Sequence, residues 1–216
     1  MTRTVSCFIS PHGFGHATRT ISVLEALSEL VPDLQVHIFS TVPETLFRSC
    51  PFPLAYHQVV TDIGLVQDSA FTFDVEQTYD QLRRFLPLSE KTIRQCASLC
   101  RRSALIICDI SPLGIAVGKR IGVPSLLLEN FTWDWIYRPL ADHKAEFREI
   151  ISRFAGYYAE ADWRIQAEPV CQPLAVDLTC PPLARSCRLT KQEAVSLLGG
   201  GERRTVVISM GGIPFA

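Results

Sequence analysis

Residues 4–39 read TVSCFISPHGFGHATRTISVLEALSELVPDLQVHIF, and the architecture follows from this stretch. Thr4–Ser10 is a short apolar run, and Pro11–His16 is punctuated by glycines. Ala17–Leu30 then sets Ile21, Leu24, Leu27 and Leu30 at helical spacing, and Leu34–Phe39 is apolar again. The periods fit strand, tight loop, helix, strand: a βαβ unit. Outward from it the alternation continues. Leu54–Val60 reads as a third strand and Phe73–Cys100 as a long helical region, broken near Pro87. Ala104–Cys108 reads as a buried strand, followed by Asp109 and a helix from Pro112 to Ile121. Pro124–Glu129 is a Leu-rich run of the kind found in parallel strands covered on both faces. A helical pattern runs from Trp135 to Glu160, and Trp163–Gln166 reads as a sixth strand. Alternation of this kind predicts an α/β fold, a doubly wound, Rossmann-like parallel sheet.

Residues 1–167 therefore form one expected domain. Glu168–Arg188 carries four prolines and no period, which reads as a connector outside the layered sheet. Thr190 is placed to cap a short helix, Lys191–Leu198, and Gly199–Gly201 to stop it. The connector then spans 168–203. Thr205–Met210 is again a buried-type strand, ending in Gly211–Gly212. Residues 204–216 read as the first strand of a further βαβ domain.

Composition narrows the function classes. The chain has 216 residues, 47% hydrophobic, with 21 basic against 22 acidic side chains and a formal net charge of −1. A chain of this size buries roughly 70% of its unfolded surface, so it folds without metal or disulfide staples. Its balanced charge supplies no field for nucleic-acid phosphates or an anionic membrane, so nucleic acid is excluded as a partner. Eight cysteines contain no CxxC pair; they are expected to be buried, inert thiols of a reducing, cytoplasmic protein. No stretch approaches the roughly 20 apolar residues of a membrane span, so no transmembrane segment is expected.

The loop Pro11-His12-Gly13-Phe14-Gly15-His16 joins the first strand to the first helix. Gly13 and Gly15 let backbone approach a ligand, and a helix N-terminus offers N–H groups to an anion. A dinucleotide fingerprint fails twice: Thr18 stands where a third glycine belongs, and Phe39-Ser40-Thr41 lacks an acidic ribose ligand. A neutral imidazole at a strand's carboxyl end can accept a proton from a hydroxyl if a carboxylate fixes its tautomer. With strand order 3-2-1-4-5, strands one and four are neighbours, which brings His16 and Asp109 beside the same crevice. The alternative is that each caps a helix. His12 suits a structural or substrate-contact role. Arg19, one turn into the helix, reads as an anion contact or a solvated charge. The run Asn130-Phe131-Thr132-Trp133-Asp134 follows strand five; its rings and polar groups suit a carbohydrate, or else anchor a helix in the core. Asp62 and Gln67, in the run after strand three, can reach the crevice or simply form turns.

The motif PHGFGHATR at Pro11–Arg19 resembles the glycine-rich first loop of GT-B glycosyltransferases. It is more similar to the glycosyltransferase-like N-terminal domain of plant L-arabinokinases and related bacterial proteins. The likeness extends through TDIGLVQDSAFTFD (Thr61–Asp74), Cys108–Pro112, NFTWDWIY (Asn130–Tyr137) and VVISMGGIPFA (Val206–Ala216). The resemblance implies the N-terminal half of a GT-B fold, with His16 as general base on a small-molecule or glycan acceptor and Asp109 orienting it. It implies a nucleotide-sugar co-substrate, no bound metal or other cofactor, and a C-terminal donor-binding domain as partner. That leads to an inverting transferase half, inactive alone. The alternative is a sugar- or nucleotide-binding module serving a kinase or another enzyme.

Overall fold

A computed structural model describes residues 3–69, 71–187, 189–200 and Val206. The strand expected at Thr205–Met210, and the domain opening read over 204–216, lie outside the described residues apart from Val206. Seven strands form one sheet in the order β3-β2-β1-β4-β5-β6-β7. They are β1 (Arg3–Ile9), β2 (Leu34–Ser40), β3 (Leu54–Gln58), β4 (Ser103–Asp109), β5 (Ser125–Glu129), β6 (Trp163–Ala167) and β7 (Leu178–Cys180). Every adjacent pair is parallel. The chain runs outward from β1 to β3, then returns to lay β4 on the other side of β1. Such a reversal splays the connecting loops apart and leaves a crevice at the carboxyl ends of the two central strands.

Alternation along β1 divides the core in two. Val5, Cys7 and Ile9 point to a cluster completed by Ala17, Ile21 and Leu24 of helix α1 (Phe14–Leu30) and by Phe47 of the 3-10 turn Glu44–Phe47. Phe8 points the other way, stacked on Phe39 with ring centres 4.4 Å apart. That face is covered by α2 (Val75–Phe85), α3 (Glu90–Cys100), α4 (Pro112–Ile121), α5 (Trp133–Tyr137), α6 (Leu140–His143) and α7 (Phe147–Ala159). The helical region expected at 73–100 is indeed interrupted at Pro87, which can supply no N–H to a continuing helix. Asp74 and Ser89 cap the two halves by accepting from the N–H groups of Gln77 and Thr92. The sheet also dictates one glycine: a Cβ on Gly114 would stand 2.6 Å from Cys108 Sγ and 2.8 Å from the Phe8 ring.

Two expectations need correction. The segment after residue 167 is not wholly outside the sheet, because Leu178–Cys180 pairs with Ile165–Ala167 as a seventh strand. Three residues between prolines carry no readable alternation. The thiols are not uniformly buried either. Cys7, Cys96, Cys100 and Cys108 are, whereas Cys171 and Cys187 are exposed in the Pro-rich stretch, which has no core beneath it. At the end of the described chain, α8 (Lys191–Leu197) begins with a capping box in which Thr190 and Glu193 satisfy each other's backbone N–H groups. None of its residues is buried. No helix among the described residues is long and apolar enough to cross a membrane.

Candidate functional site

Gly13 turns the chain from β1 into α1 with φ 85° and ψ 161°, a conformation that side chains strongly disfavour. No side chain caps the helix behind it, so the first-turn N–H groups of α1 stay open. A Cβ on Gly15 would meet nothing within 4 Å, so the space before the helix is free. It belongs to a cavity of about 310 Å³ that opens between α1 and the carboxyl ends of β5 and β6.

His16 and Asp109 both stand at this crevice. His16 Nδ1 lies 2.7 Å from Asp109 Oδ1. Asp109 is fully buried; burial alone would raise its pKa, but Arg19 and His16 outweigh that and hold it at about 2. An ionised carboxylate at that distance requires a hydrogen in between, so Nδ1–H donates, and in the neutral ring the lone pair is then on Nε2. The His16 ring lines the cavity and makes a T-shaped contact with Phe131, ring centres 5.7 Å apart. Directly after Asp109, Ile110 adopts φ 47°, a costly conformation for a β-branched residue. Its N–H donates to Leu128 O and its carbonyl accepts from Tyr158 Oη, so the strained turn is held from both sides.

Arg19 lines the cavity but is not a solvated charge, since most of its guanidinium is engaged within the protein. Its Nε and Nη2 donate to Asp109 Oδ2 and Oδ1 at 2.8 and 2.6 Å, and its Nη1 donates to Asn130 Oδ1 at 2.7 Å. Thr20 Oγ1 adds a fourth donor to Asp109, on Oδ2 at 3.1 Å. Because Arg19 takes the Asn130 oxygen, the carboxamide N–H groups remain as donors at the cavity wall. His12 also lines the cavity, wedged between Trp133 and Gly64. Burial, reinforced by His16, lowers its pKa to about 4, so it is neutral near pH 7.

The remaining expected contacts are not brought together here. Trp133 is fully buried, stacked on Tyr137 with its other side against His12, so it offers no free face to a sugar. Asp134 is buried beside Arg138 at 3.4 Å. Gln67 donates to Ser69 O within its own hairpin. Asp62 is buried, accepting from Ser10 Oγ at 3.1 Å. Its Oδ2 and the Trp133 indole N–H lack hydrogen-bond partners among the described residues. Burial drives the Asp62 pKa up to about 8. Phe131, read within the aromatic run after strand five, is on the cavity wall, and sequence reading missed Ala167, Glu168, Pro182 and Leu183 beside it. Glu168 follows the last residue of β6, a position that the strand-end rule singles out. Pro182 and Leu183 arrive only by way of β7.

Comparison with known proteins gives this geometry a context. No family model matches the chain. L-arabinokinase of Arabidopsis thaliana is 28% identical over 216 residues, covering 96% of this chain and 21% of that protein. UGT2 of Phytolacca americana, solved with UDP-2-fluoro-glucose and pterostilbene, superposes with a TM-score of 0.54 at 14% identity over 86% of this chain and 55% of its own. A Polygonum tinctorium UDP-glucosyltransferase capable of glucosylating indoxyl gives 0.52 at 14% identity over 92% and 56%. The fold is the N-terminal half of GT-B. This GT-B domain thus spans about half of the solved structures that it matches and about a fifth of the curated relative.

Proposed function

We propose that this GT-B domain is the acceptor-binding half of an inverting glycosyltransferase that moves a sugar from a nucleotide-sugar to a hydroxyl, inactive without a donor-binding domain. The observation that carries the reading is the 2.7 Å contact between His16 Nδ1 and Asp109 Oδ1, which leaves Nε2 as the acceptor at a cavity. His16 would take the proton of the acceptor hydroxyl as the oxygen attacks the sugar's anomeric carbon and the nucleotide diphosphate departs. Asp109 would fix the ring's tautomer. Phe131 would meet the apolar face of a sugar, while the Asn130 amide and the Glu168 carboxylate take its hydroxyls. The open N–H groups at the start of α1 favour any negative charge that develops nearby. Transfer needs both substrates held in line, so the domain alone should not turn over.

A panel of nucleotide-sugars with sugar and phenol acceptors tests this, using the chain alone and mixed with a separately expressed donor-binding domain. Transfer is expected only in the mixture, falling by about 10²-fold or more in His16→Ala. A second reading, a non-catalytic sugar- or nucleotide-binding module serving a kinase or other enzyme, draws on the L-arabinokinase relative and on the hold of Arg19 over Asp109. Ligands that bind without ever being consumed, with His16→Ala changing affinity alone, would replace the first reading by the second.

A further inference from the structure

A carboxylate that orients a proton-accepting histidine ordinarily also stabilises the imidazolium that forms. Asp109 is placed differently, because its charge is already matched. Its four hydrogen bonds come from His16, twice from Arg19 and from Thr20, so both oxygens are fully engaged. Burial works against the Arg19 charge, but Asp109 outweighs that and keeps the guanidinium ionised. His16 Nδ1 and Arg19 Nη2 share the same oxygen and stand 3.3 Å apart. Both are donors, so this contact is no hydrogen bond; it is the approach of a proton-bearing ring to a fixed cation.

The distances decide what that approach does. A charge on His16 would lie 2.7 Å from Asp109 Oδ1 and 3.3 Å from Arg19 Nη2. At equal dielectric, Coulomb energy scales as the inverse of distance, so nearest-atom repulsion offsets about four-fifths of the attraction. The other groups around the ring do little to restore it. His12 is neutral near pH 7 and would oppose a second charge. Phe131 meets the ring in a T-shaped contact and carries no charge. Glu168 faces the cavity from an exposed position, where water screens it. Glu129 and Cys180 act on Arg19, and Asp62, which feels the Asp109 charge, is itself held mostly protonated by burial at neutral pH.

We propose that Arg19 is a positioning residue that claims the charge of Asp109, so that His16 meets its ligand as a neutral hydrogen-bond acceptor and the site takes an uncharged hydroxyl donor. Asp109 then orients the ring, Arg19 limits its charging, and Asn130, held by the same guanidinium, presents N–H donors beside it. This inference rests on the reading of His16 as the group that meets the ligand's hydroxyl.

The test follows the His16 Cε1–H resonance through a pH titration of the 216-residue chain, in the native protein and in Arg19→Gln and Arg19→Lys. Arg19→Gln removes the cation at similar size, and its ring should hold the proton to higher pH by about one unit or more. Arg19→Lys keeps the charge without the fork and should stay within about half a unit of native. Unchanged His37 and His57 resonances report that each variant is folded. A merely structural Arg19 would lower the melting temperature in both variants and leave the His16 titration unmoved, which overturns the proposal. Should Arg19→Gln fail to fold, a rise of one unit in Arg19→Lys would overturn it as well. The titration involves no donor domain. Missing transfer would defeat the transferase reading alone, and transfer without the shift would defeat the role of Arg19 alone.

Discussion

Asp109 has a large electrostatic stake in the fold, since it is fully buried and ionised against a buried guanidinium. Its pKa of about 2 lies below the unfolded carboxylate value near 4. Its contribution is therefore intact above about pH 4 and disappears as pH falls from there toward 2. Asp109→Ala strands the Arg19 charge and should cost about 3–5 kcal/mol in urea unfolding, with Asp109→Asn costing less. Asp62 works in the opposite sense. Its folded pKa, raised by burial to about 8, exceeds the unfolded value, so its stabilising contribution is complete below about pH 4 and fades as pH climbs to 8. Asp62→Asn should accordingly match the native melting temperature at pH 4 and exceed it by a few degrees at pH 8; a constant difference across that range would refute the assignment. Gly64 has φ +67°, and a Cβ there would stand 2.6 Å from His12 Nδ1. Gly64→Ala should therefore cost about 1–3 kcal/mol and shift the His12 resonances. At this scale the pairing of His16 with Asp109 was legible, because one opens the helix that follows β1 and the other ends β4, and the pattern predicts that these strands are neighbours. The fork of Arg19 was not, since helical spacing does not say which buried carboxylate a long side chain reaches.

Among the elements, strands one to six and the helices on either side were readable because each carries its own period. What failed to register was short or interrupted. The helical pattern expected from Trp135 to Glu160 is α5, α6 and α7, separated at Arg138–Pro139 and at Lys144–Glu146. Density of rings and polar groups after β5 did not reveal that Trp133 folds inward while Phe131 stays at the cavity. The capping box of α8, by contrast, is a local device whose loss should stay local. Thr190→Ala should cost about 1 kcal/mol of helix stability, seen as amide shifts of Lys191–Leu197 moving toward random-coil values. With no residue of α8 buried, the melting temperature of the sheet domain should not move.

Over the whole molecule, residues 181–187 run from β7 back to α1 and supply part of the cavity wall. Pro182 and Leu183 form part of its wall, and Arg185 donates to Glu25 Oε1 on α1 and to Ser49 Oγ at 3.3 and 2.9 Å. A partly buried ion pair of this kind contributes about 1 kcal/mol. Arg185→Ala should leave the melting temperature within about 4 °C of native while speeding limited proteolysis between residues 181 and 187. A cavity ligand should then bind more weakly, because its wall is no longer held.

The two faces of the sheet are unequally covered. Six helices lie over Phe8 and its neighbours, whereas α1 is the one α-helix in the opposite cluster among the described residues. That single helix carries Gly15, His16 and Arg19 to the cavity. Its backbone amides lie under less helical cover than those of α4, so local opening of this face should expose them before those of α4. Occupancy of the cavity would then be written in deuterium uptake: slower at α1, unchanged at α4, and readable before any chemistry is known.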